Sequence, residues 1–452
     1  MGFPYTFPFQ FEGEEIVTTT LLSLDQKLLE ETGDWIQGTV STAISNTNSV
    51  VANVTFPEIR STADYFNNFW IYFDDYANIG EERLIKDDDG TNTLTVLGGN
   101  LTTDVANTAT FRLSKYSKFS ERAKAISVAL EEMYPSMYAA VDNRDLITGN
   151  ILPTFRWATN ASLDIWAATN GSVARTTTAG LVRGESADSC LLTATAANAY
   201  VSCHSDKYRR LLDLQGDTVD ASAWVYPSVA NDATVVIYTL SNDGTTSTTN
   251  SSVTNCAASQ WTKLELNNVS IGNDLADIDI RVNIATNAAT CYVSRPIVTG
   301  HNVYEYLLPK DFDNGSISEV YIQTSGEATN PADDLHPRFY NKIYGWEIID
   351  DGTYKYLRLP YLFASPYQIR LLGKKPIPTV SSGTDTVTLE SHHLRPLIHY
   401  AAYNLFDTKS TRVSSEDKDR YIQMAGKHYG QYQMLMGSHS QVQPSPQLNI
   451  RM

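Results

Sequence analysis

The residue types that most often carry chemistry in proteins are few in this sequence. The four cysteines, Cys190, Cys203, Cys256 and Cys291, fall in one central segment of the 452-residue chain. Their spacings match no CxxC zinc pattern. Nothing in the sequence indicates an oxidising compartment, so we expect buried free thiols in preference to disulfides. The cysteines therefore predict neither a zinc site nor a disulfide framework.

The histidines give equally weak candidates. His392, His393 and His399 lie at the start of a predicted helix, where capping and polar contacts are favoured over a metal site. His204 follows Cys203, but adjacent residues of a strand point to opposite faces. A Cys–His pair is therefore disfavoured, and we expect no metal site.

The acidic residues include one conspicuous run, Asp87-Asp88-Asp89, directly before Gly90. It lacks the later ligands and the terminal Glu of an EF-hand loop, so a solvated hairpin turn is favoured over calcium binding. A glycosidase pair of carboxylates stays open, because only their separation in space would reveal it. No GxSxG, HExxH, Walker A or GxGxxG motif occurs in a strand-to-helix context. We expect no enzyme, no catalytic residue and no cofactor.

Three tryptophans in the central segment could stack on sugar rings if they were exposed. Trp224 and Trp261 sit in strongly apolar strands, which favours a place in the core. Trp166 is left as the possible glycan contact.

Charge and hydropathy exclude some classes of partner. The net charge is -17, whereas binding to a nucleic-acid backbone needs clustered Lys and Arg. No apolar run approaches the length of a membrane-spanning helix, and the first residues lack the features of a secretory signal. The length and the 42% of hydrophobic residues predict two or more domains.

The flanks of the chain carry four patterns that predict α-helices. An apolar stripe from Leu21 to Leu29 ends before Gly33, and a second runs from Phe119, with Ser120 as its cap, to the Tyr134-Pro135 stop. Two more helices are predicted after Ser391 and from Ser414-Ser415. We expect these four helices to pack as a small bundle.

Residues 154–300 differ from both flanks. They are rich in Ala, Thr, Asn and Ser, and turn residues break them into short half-buried strands such as "ATVVIYTLSNDG" and "ADIDIRVNIAT". This spacing predicts an inserted β-sandwich. The predicted domain limits are 1–153 and 301–437 for the two parts of the flanking domain, 154–300 for the insert, and 438–452 for an extended tail.

The flanks resemble tailed-bacteriophage head-to-tail adaptor proteins. The resemblance rests on the order of "FSERAKAISVALEEMYPSMY", "YLLPKDF…ISEVYI…GWEIIDDGTYKYLRLP" and "LRPLIHYAAYNLFD". The insert resembles the jelly roll of carbohydrate-binding modules, but Ser294 stands where many members have an Asp. Together they imply an α+β class: a small helical bundle with β-rich segments, interrupted by an all-β jelly-roll insert.

The resemblance implies a structural virion protein at the head–tail junction, assembled in the host cytoplasm. It would form a homo-oligomeric ring, by family analogy a dodecamer, that joins the portal protein to tail or neck proteins and lets DNA pass without specific binding. The extended tail offers portal-docking anchors at Val442, Pro444, Pro446, Leu448 and Ile450. The alternative is a glycan-binding decoration or adhesin protein that acts through the insert.

Overall fold

The computed structural model describes residues 16–54, 63–105, 108–183, 186, 188–251, 256–323, 340–363, 366–412 and 415–439. The α-helices there are α1 (Leu21–Thr32), α2 (Phe119–Glu132), α3 (Leu394–Ser410) and α4 (Ser415–His439). The strands are β1 (Ile16–Thr20), β2 (Ile36–Val40), β3 (Ser49–Val54), β4 (Trp70–Phe73), β5 (Glu82–Asp88), β6 (Thr93–Val96), β7 (Thr110–Ser114), β8 (Ala139–Ile147), β9 (Trp157–Thr159), β10 (Ser162–Leu163), β11 (Trp166–Thr169), β12 (Gly171–Thr176), β13 (Ser189–Ala194), β14 (Ala199–His204), β15 (Thr218–Pro227), β16 (Ala233–Ser241), β17 (Thr246–Asn250), β18 (Thr262–Ser270), β19 (Leu275–Ile284), β20 (Thr290–Thr299), β21 (Glu305–Leu307), β22 (Ser316–Gln323), β23 (Tyr340–Ile343), β24 (Glu347–Asp350), β25 (Lys355–Arg358), β26 (Gln368–Lys375) and β27 (Thr386–Glu390).

The chain divides into two compact units. Unit 1 comprises Met1–Ala139 and Pro376–Met452, and unit 2 comprises Ala140–Lys375. Among the described residues, all four α-helices belong to unit 1. No described helix is long and apolar enough to cross a membrane.

Unit 1 contains a closed barrel with the strand order β2-β3-β6-β5-β4-β7. Its interior is filled by buried aliphatic and aromatic side chains, among them Ile71, Phe73 and Phe111. Gly38 on β2 is required beside Phe111, because a Cβ at this position would lie 2.3 Å from the ring atom Cζ. The barrel closes on itself and so leaves no open sheet edge.

The helices of unit 1 form a layer that shares its core with strands. Helix residues such as Leu24, Ile126 and Leu397 belong to one apolar cluster with Tyr72 of β4 and Leu389 of β27. Strands make up 42% of the described structure and helices 21%. The predicted α+β class with a small helical bundle is therefore wrong: the protein is mainly β, because most apolar segments of the flanks pair as strands.

The ends of the helices are set by local residues. Thr20 Oγ1 accepts the Ser23 N–H at the start of α1. Gly33 ends the helix in the left-handed region at φ 73°, as the sequence predicts. In α2 the N-cap position is Lys118, so Ser120 lies inside the first turn. Its hydroxyl donates to Glu82 and does not cap the helix, which corrects that prediction.

Unit 2 contains a sandwich of two five-stranded antiparallel sheets, β11-β14-β19-β16-β17 and β12-β13-β20-β15-β18. Most consecutive strands change sheet, as in a jelly roll, whereas β12–β13 and β16–β17 pair within one sheet. The four cysteines are buried and free, which confirms the prediction of buried thiols. A β-sandwich in this part of the chain is confirmed.

The core of the sandwich continues into the other strands of unit 2. Val201 and Val293 of the sandwich belong to the same apolar cluster as Tyr306, Val320 and Leu371, which lie on or beside β21, β22 and β26. The compact unit accordingly begins at Ala140 and ends at Lys375. The division into compact units does not test whether residues 154–300 form a separate inserted domain, so the limits at 153/154 and 300/301 stay a prediction.

Candidate functional site

One face of the β11-β14-β19-β16-β17 sheet carries a row of polar and aromatic side chains. β14 and β16 both pair with β19, and the register places Arg281 between Ser202 and Val236. Successive residues of a strand point to opposite faces, so Ile280 and Val282 face the core while Arg281 faces outward. Strand pairing therefore brings residues from three distant segments onto one outer face.

Arg281 organises this face. Its guanidinium carbon lies 4.6 Å from the ring centroid of Tyr200 on β14 and 4.6 Å from that of Tyr238 on β16. Its Nε donates to Asp279 Oδ2 at 2.7 Å. A planar guanidinium stacks well on aromatic rings. The arginine thus holds both tyrosines and the carboxylate in fixed positions.

One acceptor beside Arg281, the amide oxygen Oδ1 of Asn283, has no hydrogen-bond partner among the described residues. The Asp279 carboxyl accepts hydrogen bonds from Arg281 and Ser202. The Asp279 side chain is only 3% exposed, and this burial raises the pKa of its carboxyl despite the neighbouring Arg281. A buried acceptor without a donor costs about 1–3 kcal/mol. The Asn283 side chain as a whole is half-buried, so its amide group stays partly accessible from outside the sheet.

The edge of the same face is negatively charged. His204 lies between two carboxylates, with Nδ1 2.8 Å from Asp206 Oδ1 and Nε2 3.0 Å from Asp277 Oδ2. Cys203, its neighbour in sequence, is fully buried. The two side chains point to opposite faces of β14, as the sequence predicts. We call Tyr200, Tyr238, Asp279, Arg281 and Asn283 the tyrosine–arginine face.

The opposite sheet also presents aromatic side chains on its outside. Tyr226 lies 5.5 Å from Trp261 and 5.9 Å from Tyr292, measured between ring centroids. The Trp261 indole donates to the Gly180 carbonyl. These rings pack on one another. A substitution in this cluster therefore serves as a control for substitutions on the tyrosine–arginine face.

The residues singled out from sequence lie elsewhere. Trp166 is 1% exposed, and its indole Nε1 donates to the Pro153 carbonyl. Its ring is enclosed in the core and cannot stack on a sugar, which corrects its choice as a glycan contact. The anchors proposed for portal docking, Val442, Pro444, Pro446, Leu448 and Ile450, lie outside the described residues.

The sequence nevertheless carries a signal for the tyrosine–arginine face. In "ADIDIRVNI" a polar residue alternates with an aliphatic one, which places Asp277, Asp279, Arg281 and Asn283 on one side of a strand. Charged and amide groups at successive outward positions are candidates for ligand contacts. The tyrosines could not be found this way, since they come from other strands.

A small cleft elsewhere in unit 2 brings two carboxylates together. Asp145 and Asp188 line it with Asn150, Phe155 and Arg295. Burial raises the pKa of Asp188 to about 6, and the charge of Asp145 adds to the rise. The Arg175 guanidinium, whose Nε lies 2.7 Å from Asp188 Oδ2, offsets only part of it. The ionised form of Asp188 is therefore unfavourable in the folded protein.

This burial predicts a pH-dependent loss of stability. Between pH 4 and pH 6 the folded chain binds more protons than the unfolded chain, because the pKa of Asp188 rises from 3.8 to about 6. The free energy of unfolding therefore falls as pH increases through this window, by about 2–3 kcal/mol at most. We expect Asp188→Asn to flatten the fall and to raise stability at pH 7.5 by about 1–2 kcal/mol. Urea unfolding between pH 4.5 and 7.5 measures this, with Asp206→Asn as the exposed control; an unchanged pH slope in Asp188→Asn would contradict it.

The chain is similar over about a third of its length to solved carbohydrate-binding modules. The C-terminal family 22 module of Clostridium thermocellum Xyn10B matches at 15% identity, over 34% of this chain and 93% of that chain, with a TM-score of 0.26. The CBM22-1 xylan-binding domain of Paenibacillus barcinonensis Xyn10C matches at 16%, over 34% and 97%, with a TM-score of 0.26. The enzymatically active domain of tailspike protein 4 from bacteriophage CBA120 matches at 10%, over 35% and 21%, with a TM-score of 0.25.

No protein-family model and no curated protein matches the sequence. The resemblance to head-to-tail adaptors, with its ring, portal partner and virion location, therefore stays a prediction. The TM-scores of these three structures are below 0.5, so they do not identify a ligand for this chain.

Proposed function

We propose that the sandwich of unit 2 binds a neutral glycan on the tyrosine–arginine face. The observation that carries this proposal is the pair of half-buried tyrosine rings, Tyr200 and Tyr238, that Arg281 holds on the outer face of the sheet, beside the half-buried amide of Asn283. Sugars offer hydroxyl groups to an amide side chain and C–H faces to aromatic rings. A flat sheet gives these groups fixed spacing, which lowers the entropy lost on binding.

The charges on this face favour an uncharged ligand. Arg281 is already paired with Asp279, while Asp206 and Asp277 add negative charge at the edge beside His204. An acidic polysaccharide would meet these carboxylates, and like charges repel. We therefore expect neutral glycans to be retained in preference to anionic ones, and to be bound without being cleaved.

The proposal predicts that substitutions on this face abolish retention. The full chain is run in native gels that contain xylan, β-1,4-galactan or another neutral glycan, with polygalacturonate as the anionic comparison. We expect Tyr238→Ala and Asn283→Ala each to weaken binding of the retained glycan about tenfold or more, the equivalent of about 1.4 kcal/mol. The retained glycan should be recovered at its original length.

Tyr226→Ala is the matched control, since it removes a partly exposed tyrosine from the outside of the other sheet. It should bind as the wild type does. Retention lost in Tyr226→Ala but kept in Tyr238→Ala would place the ligand on the opposite sheet and refute the proposal. A wild-type chain that is retained by none of the neutral glycans would also refute it, and shortened glycan would show an enzyme.

A further inference from the structure

Three potential metal ligands from three helices converge inside unit 1. Glu31 lies near the end of α1, His399 on α3 and His428 on α4, and their ligand atoms all lie within 4.8 Å of one another. The two histidine side chains are buried, at 1% and 2% exposure, whereas Glu31 is 31% exposed. The sequence places His399 near a helix start, but the structure buries it in the helix layer, where it performs no capping.

The spacing of the ligand atoms matches a tetrahedral ion. Zinc binds imidazole nitrogen at about 2.0–2.1 Å, so two nitrogens at a tetrahedral angle lie about 3.3–3.4 Å apart. His399 Nδ1 and His428 Nδ1 are 3.3 Å apart. His399 Nδ1 and Glu31 Oε1 are 3.8 Å apart. A small rotation of the half-exposed Glu31 side chain would bring this distance to the spacing of ligands around a tetrahedral ion.

The direct alternative is a hydrogen bond between the two imidazoles. The Nδ1 atoms are 3.3 Å apart, at the long end of hydrogen-bond distances, and metal uptake by the wild type distinguishes the two arrangements. Each ring can instead direct the Nδ1 lone pair of its neutral form at a cation.

We propose that Glu31, His399 and His428 bind a divalent transition-metal ion of the zinc type. Two imidazoles and one carboxylate form a three-ligand set that zinc accepts, with a water molecule in the fourth position. The half-exposed Glu31 marks the side from which the ion and the water enter. Bound metal would tie α1 to the α3–α4 hairpin and stabilise the helix layer.

The test uses the full chain without a histidine tag, after treatment with EDTA. Calorimetric titration with Zn²⁺ should show one saturable site, and Co²⁺ should give the visible absorption of a tetrahedral complex. Zinc at one hundred times its dissociation constant should raise the unfolding midpoint of unit 1 by about 5–10 °C. No saturable uptake by the wild type overturns the proposal.

The variants are chosen so that folding and binding can be separated. Glu31→Gln changes a half-exposed residue, so the chain should fold, and zinc affinity should fall by about tenfold or more. Glu30→Gln is the matched control, because the neighbouring Glu30 is exposed and accepts a hydrogen bond from Gln26. His428→Gln should lose the Co²⁺ absorption. Zinc affinity equal to that of the wild type in Glu31→Gln overturns the proposed ligand set.

Discussion

Asp25→Ala is expected to lower the free energy of unfolding of unit 1 by about 3–5 kcal/mol, the cost of breaking a buried ion pair from one side. Asp25 is fully buried and receives two guanidinium groups. Arg122 Nε reaches its Oδ1 at 2.5 Å, and Arg112 Nη1 reaches its Oδ2 at 2.9 Å. Arg112 also pairs with Asp74 at 2.8 Å, so two positive charges face two negative charges in the interior.

Removing Asp25 leaves two buried guanidinium groups and one remaining carboxylate, that of Asp74, which pairs with Arg112. Arg122 is 1% and Arg112 5% exposed, so water cannot replace the lost partner. The helical signal in far-ultraviolet circular dichroism reports on unit 1, because the described α-helices all lie there. Urea unfolding followed by this signal measures the loss.

A surface pair provides the control for Asp25. Arg83 and Glu81 pair at 2.9 Å, but their side chains are 31% and 42% exposed. Glu81→Ala should therefore cost less than about 1 kcal/mol. If Asp25→Ala costs no more than Glu81→Ala, the buried network stabilises unit 1 no more than a surface ion pair does.

Gly300→Ala is expected to destabilise unit 2 by about 2–5 kcal/mol, from backbone strain and a steric clash together. Gly300 directly follows β20 and has φ +115°, outside the range that side chains tolerate. A Cβ there would lie 2.3 Å from the Thr218 carbonyl oxygen and 2.9 Å from Val219 Cα. Both contacts are with the backbone of β15, which cannot move without breaking its pairing with β18 and β20.

Gly272→Ala is the matched control for Gly300. It lies in the same unit, and no heavy atom lies within 4 Å of its added Cβ. We expect a change within about 0.5 kcal/mol, as for most surface substitutions. Tryptophan fluorescence during urea unfolding follows unit 2, since five of the seven tryptophans lie between residues 140 and 375. Equal stabilities for the two variants would contradict the strain argument.

The sequence by itself determined the features that depend on neighbouring residues. The apolar stripe of α1 and its end at Gly33 are as predicted. The Asp89-Gly90 turn is also confirmed: Asp89 Oδ1 accepts the N–H groups of Thr91, Asn92 and Thr93, which holds the pKa of Asp89 down at about 2. These interactions span at most four residues, so the pattern alone contains them.

The sequence predicts a β-sandwich but does not predict how its tyrosine–arginine face is assembled. Alternation in "ADIDIRVNI" places Asp279, Arg281 and Asn283 on one side of β19. Tyr200 and Tyr238 reach Arg281 only because β14 and β16 become its neighbours in the sheet. Which strands pair is set by the packing of a whole core, and no local pattern records it.

The tertiary structure alone decided the remaining assignments. Asp25 lies at the spacing of the buried leucines on α1, so its side chain points into the core. Its carboxylate can be buried there because Arg112 and Arg122 pair with it. Glu31 and His428 are far apart in the chain and meet at His399 through the packing of three helices. The mainly β class was missed because the prediction gave the four helices a core of their own. In the structure they share their core with strands such as β4 and β27, and β2 to β7 close into a barrel; both depend on long-range contacts.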